Sequence, residues 1–146
     1  MAGAVLRSAR LSAGLSREDL AEVMGASEKT IRAWEDGSSP LASAPLPDVE
    51  ILEASLRAGG ADPNLVMDLG VAAWCDLVIL AVVHGENTAC LMADPIAVDS
   101  AFAELLAWCL AGRVPERHQP YAETRPLLTD PALIEQATKT LSSERG

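Results

Sequence analysis

Aromatic residues are scarce in this chain of 146 residues: three Trp, one Tyr and one Phe make up only 3% of it, although 49% of the residues are apolar. A core must therefore be filled by Leu, Val, Ile and many Ala, a mixture that favours helices. Cysteine is sparse as well. Cys75, Cys90 and Cys109 are odd in number and widely spaced, and only His84 and His118 are available to join them. That excludes a disulfide framework and leaves no zinc motif, so buried thiols are expected, with no metal and no cofactor. Positive charge is also short, at 11 Lys and Arg against 21 Asp and Glu, a net charge of −10. Such a chain does not coat nucleic acid or an anionic membrane non-specifically. The acidity is uneven, however. Through Pro47 five basic residues face six acidic ones, and in the remainder six face fifteen, so the N-terminal part is free to present a basic face.

Other absences narrow the class further. The longest apolar run, Val71 to Val83, is interrupted by Asp76 and is shorter than the roughly 20 residues of a membrane helix, so a buried core element is expected and no membrane partner. The chain opens directly into a helical pattern without a basic n-region, which predicts no secretory signal and a cytoplasmic protein. There is no Gly-rich phosphate loop and no repeat of fixed period. Neither His stands in a recognised nucleophile setting, both being expected to cap or line a surface. No enzyme is expected.

Short helices dominate what is present. The first ends at Gly14. The second opens at Ser16, with Asp19 three residues on as a capping-box partner, and stops at Gly25. The third opens at Ser27 and runs to Glu35 or Asp36 before Gly37. Residues 38–47, dense in Pro, Ser and Ala, read as a linker between a module at 1–37 and a helical unit at 48–146. Within that unit helices are expected from Asp48 to Ala58, from Pro63 to about Glu86, from Asp99 to Gly112, and from Asp130-Pro131 with Leu133, Ala137 and Leu141 on one face. A small β-hairpin near 78–92 is the alternative to helix there, because periodicity does not settle so short a β-branched run.

In the third helix Ile31 and Trp34 share one face and can pack on Leu20, Ala21 and Met24, which leaves Glu28, Lys29, Arg32 and Ala33 pointing outward. A firmly seated helix with exposed N-terminal side chains is what reading the major groove requires. With Leu20-Ala21, Gly25 at the turn, Ser27, Thr30-Ile31 and Trp34-Glu35 before Gly37, residues 15–37 resemble the phage repressor and Cro (Xre) family of helix-turn-helix proteins.

The resemblance implies an all-α fold, a lambda-repressor-like module followed by a mostly helical C-terminal unit, and double-stranded DNA as partner. It places Arg17 and Thr30 on phosphates, and Glu28, Lys29 and Ala33 on base edges. Ser27 and Arg32 complete the DNA-facing set, while Arg10 and Glu35 form a structural salt bridge. Asp36 is expected to repel a nearby phosphate. Because one module makes few contacts, each bidentate base contact being worth ~1–3 kcal/mol, a homodimer on two half-sites is expected. Arg7, Arg17, Lys29 and Arg32 are the basic residues of the module without an expected internal partner. Two or three of them per subunit on phosphate would give a salt slope of about −4 to −5.

Residues 48–146 are too acidic to face DNA and too apolar for a tail, so they read as a dimerisation or effector unit. Trp108 sits there either at a partner surface or inside the monomer. Two functions are compatible with this reading. One is a homodimeric transcription regulator; the other is an antitoxin-like or adaptor protein whose acidic C-terminal part binds another protein.

Overall fold

The computed structural model describes residues 1–85 and 100–122, together with positions 132, 135 and 139. The described elements are all helical: α1 (Ala2–Ser12), α2 (Arg17–Met24), α3 (Glu28–Asp36), a 3-10 turn at Leu41–Ser43, α4 (Leu46–Ala58), α5 (Pro63–Val83), α6 (Ser100–Ala111) and a 3-10 turn at Glu116–His118. Positions 132, 135 and 139 are helical too. Leu133, Ala137 and Leu141, expected on one face of a final helix, lie outside the described residues.

Local chemistry sets the helix ends. Ser16 Oγ accepts the Asp19 amide at 3.0 Å while the Ser16 amide donates to Asp19 Oδ2, also at 3.0 Å, so two otherwise orphaned donors are satisfied reciprocally. Gly25 ends α2 at φ 70°, a conformation that side chains with a Cβ rarely adopt. Ser27 Oγ caps α3 by accepting the Thr30 amide at 3.2 Å. Asp62 caps α5, where Pro63 takes the first helical position, at which its missing N–H costs nothing.

The hairpin alternative is corrected by α5. Residues 78–83, half of that alternative, are helical, and 86–92 lie outside the described residues. Val78, Ile79 and Val82 continue a buried face that begins at Leu65 and passes through Leu69, Ala72 and Cys75. Burial between α1 and α6 overrides the weak strand preference of a β-branched run. α5 as a whole has 21 residues and is long and apolar enough by length and composition to cross a membrane, which the run Val71–Val83 alone is not. In this fold α5 is the core helix instead. α1 and α6 pack on it, and both of its acidic residues have partners inside the protein: Asp76 takes the N-terminal amine at 2.9 Å, and Asp68 takes Arg117.

The stretch expected as a linker places one side chain in the core. Leu41 is buried in the same apolar cluster as Val5 and Leu6 of α1, Ile31 of α3, Leu52 of α4, Leu69 of α5 and Phe102 of α6. α1 packs against both α3 and α5, so the described helices before and after the stretch 38–47 share that cluster. Trp108 takes the interior alternative, at 1% exposure, and its indole N–H has no partner among the described residues. Cys75 and Cys109 are buried as expected, and burial pushes the Cys75 thiol up to about 12. Cys90 lies outside the described residues.

Gly3 is where α1 meets the end of α3. A Cβ there would stand 2.4 Å from the Glu35 carbonyl oxygen and 2.6 Å from that of Trp34. These are backbone atoms, and they cannot turn aside as a flexible side chain would. Gly3→Ala is therefore expected to lower stability by about 1–3 kcal/mol through overpacking, even though Ala is the better helix former by about 1 kcal/mol. A thermal melt of the variant tests this, and an unchanged or raised midpoint would show that the packing at Gly3 is slack.

Candidate nucleic-acid interface

α2 and α3 meet through Leu20 and Ala21 on one side and Ile31 and Trp34 on the other, all buried. That inward face fixes which side chains of α3 look out. Lys29 and Arg32 are exposed, Glu28, Thr30 and Ala33 are half-buried, and Ser27 lies exposed at the cap. Lys29 has no ion-pair partner among the described residues.

Arg32 does have one. Its Nη2 and Nε donate to Glu28 Oε1 at 2.6 and 3.1 Å, the i,i+4 geometry of a helix-surface pair. Two of the residues expected on DNA are thus engaged with each other in this structure. The Ser27 and Thr30 hydroxyls are likewise in mutual contact, at 2.9 Å.

The seat of α3 is held by a three-residue charge cluster. Arg10 donates through Nε to Glu35 Oε2 at 2.6 Å and through Nη2 to Oε1 at 3.0 Å, while its Nη1 reaches the Leu15 carbonyl at 2.9 Å. Arg17 Nε joins Oε1 at 3.2 Å. The Glu35 carboxylate therefore ties the end of α3 to α1 and to the start of α2, and Arg10 adds the α1–α2 turn. The planar guanidinium of Arg10 suits such a bidentate contact. Arg17 is not without an internal partner, and neither is Arg32, so the expectation that both stand free is corrected. Two guanidinium groups against one carboxylate leave this cluster with one excess positive charge, beside the acidic Glu18 and Asp19 of the first turn of α2. Nearby, the hydrogen bond from Ser38 holds the Asp36 carboxyl below the usual range, aided by the charges of Arg17 and Arg32.

A second polar cluster joins residues far apart in the chain. Ser8 Oγ lies 2.7 Å from His118 Nδ1, and His118 Nε2 lies 2.7 Å from Asp68 Oδ2. Arg117 Nε donates to the same Asp68 oxygen at 2.6 Å, and its Nη1 donates to Glu104. His118 is thus buried beside a Ser, not placed at a surface, and its ring stacks obliquely on Trp108 at 5.0 Å. Ser, His and Asp in line have the order of a nucleophile, a base and its orienting acid. Ser8 and His118 are fully buried, however, and neither lines a described cavity. The line joins α1 and α5 to the 116–118 turn. No signal within a single helix could have found it. Among the described residues no group of acidic, His and Cys side chains is arranged to hold a metal ion.

Neither a curated protein nor a solved structure matches the chain. Residues 2–69 match the family model described as a helix-turn-helix domain, a span that runs from α1 into the second turn of α5. Proteins of this kind are typically not enzymes. Over residues 2–69 the chain is thus similar to a helix-turn-helix domain, and the capped pair α2 and α3 falls inside that span.

Proposed function

We propose that this protein is a sequence-specific transcription regulator of the phage repressor and Cro (Xre) type, working in the cytoplasm as a homodimer that reads double-stranded DNA through α3. The observation that supports it most is the division of α3 into a buried face, Ile31 and Trp34, and an outward face bearing Lys29 and Arg32. Lys29 and Ala33 then meet base edges, Thr30 and Arg17 meet phosphate, and Ser27 sets the start of the helix. Glu28 and Arg32 act as a pair that DNA must open or meet as a unit.

Lys29→Ala is the test. Removing a base-edge hydrogen bond there weakens operator binding by about tenfold or more, at ~1–3 kcal/mol for each such bond, with circular dichroism unchanged because Lys29 packs on nothing in the core. Unchanged affinity in fluorescence anisotropy would remove α3 as the reading helix. The pairing of Arg17 and Arg32 also makes the electrostatic component smaller than four free cations per subunit would give. A dimer meeting about four phosphates has a log–log salt slope near −4, and the variant is shallower by about 2 if Lys29 meets a phosphate, because a homodimer loses one such contact in each subunit. Sedimentation at micromolar concentration tests the dimer.

A further inference from the structure

We propose that the groove between α1, the end of α3 and the C-terminal half of α5 binds an aliphatic carboxylate, a small anionic amphiphile. Its volume is about 750 Å³, within the usual range of small-molecule sites, about 300–1,000 Å³. One wall is apolar and solvent-facing. Leu77, Leu80 and Val83, three residues apart along α5, are 38%, 53% and 36% exposed. Scattered single leucines on a surface carry no meaning, but three in register along one cavity wall form a continuous patch.

The charges in the groove select the ligand. Asp76 is taken by the N-terminal amine, Glu35 by Arg10 and Arg17, and Asp36 by the Ser38 amide. Arg7, half-buried on the α1 wall, has no hydrogen-bond or ion-pair partner among the described residues. A guanidinium beside apolar surface, with no ion-pair partner among the described residues, fits a carboxylate in the bidentate manner while an alkyl chain covers the leucines. Trp34 through Gly37, the last turn of α3, forms part of the same lining. An occupant therefore touches the helix proposed to read DNA, and only this regulatory consequence rests on that reading.

Isothermal titration of the full chain with decanoate below its micelle concentration, against decan-1-ol and decylamine, tests the proposal without DNA present. Decanoate is expected to bind saturably at one site per chain and at least tenfold more tightly than either analogue. Arg7→Gln is expected to reduce decanoate to the level of the alcohol, and Leu80→Gln to weaken both. Met67→Gln, at an exposed apolar position of α5 outside the groove, leaves binding unchanged. No saturable binding, equal affinity for decanoate and decylamine, wild-type affinity in Arg7→Gln, or loss of binding in Met67→Gln would each overturn the assignment. Thermal melts of the variants verify that they are folded. A failure of Lys29→Ala to affect DNA binding would leave this result standing, so the two ideas fail separately.

Discussion

Arg10→Met is expected to destabilise the protein by about 3 kcal/mol, near the lower end of the ~3–5 kcal/mol for breaking a buried ion pair. The side chains of Arg10 and Glu35 are 8% and 3% exposed, so the carboxylate left behind has little access to water. Two features set the size. Arg17 stays beside Glu35 and offsets part of the cost, but its side chain is 37% exposed, and a solvent-screened pair is worth only ~0–1 kcal/mol. The hydrogen bond from Arg10 to the Leu15 carbonyl disappears as well, at a net cost of about 1 kcal/mol. Arg17→Met removes only the outer partner and is expected to cost less than about 1 kcal/mol. Urea unfolding of the two variants tests the order. Equal midpoints would mean that Glu35 draws no more from the inner guanidinium than from the outer one.

Asp68→Asn is expected to cost a similar ~3 kcal/mol at neutral pH, since it neutralises one side of a buried pair whose partners Arg117 and His118 remain. The stability of this variant should also respond differently to acid. Burial alone pushes the Asp68 carboxyl up, but the hydrogen bonds from His118 and Arg117 and the Arg117 charge more than offset it and hold it below the usual value. A carboxyl with a lowered folded value is protonated more readily in the unfolded chain. Its contribution is thus complete above the ordinary carboxylate value, about 4, and is lost as pH falls from there through the folded value. The difference in unfolding free energy between the parent and Asp68→Asn should therefore shrink below about pH 4. Asp19 and Asp36, also lowered by Ser16 and Ser38 hydrogen bonds, are common to both proteins and cancel. A difference that stays constant down to about pH 2.5, well below the ordinary carboxylate value, would show that the Asp68 carboxyl binds its proton no more weakly in the folded protein than in the unfolded chain.

What is legible in the sequence is what short-range rules govern. The caps at Ser16 and Ser27, the stop at Gly25, and the inward phase of Ile31 and Trp34 depend on residues within about one turn of each other, where spacing alone carries the signal. The pairing of Glu28 with Arg32 is equally readable from its i,i+4 spacing, but an outward phase does not say whether two such side chains meet each other or a ligand. Arg17 shows a different gap. Motif positions pair residues one to one, whereas a carboxylate has two oxygens and accepts more than one guanidinium, so Glu35 serves Arg10 and Arg17 together. Ser8 and His118 are 110 residues apart, and no local pattern announces such a meeting. The β-branched run at 78–83 is ambiguous for the same reason, because packing against α1 and α6 decides it. Leu41 is a further case, as one buried side chain anchors a stretch whose composition otherwise reads as loose.

The matched helix-turn-helix span ends at residue 69, inside α5, while the helix itself continues to Val83. The described residues that follow to Gly85 are therefore not hung from the matched span by a tether. They grow out of it along a shared rod, with α6 packed on the same helix. Two parts joined by a flexible peptide tumble separately and exert no torque on each other, whereas parts built on one helix share their rotational diffusion. A shift at the far end of α5 is in that sense already a shift of the surface on which α1 rests, and through α1 of the end of α3.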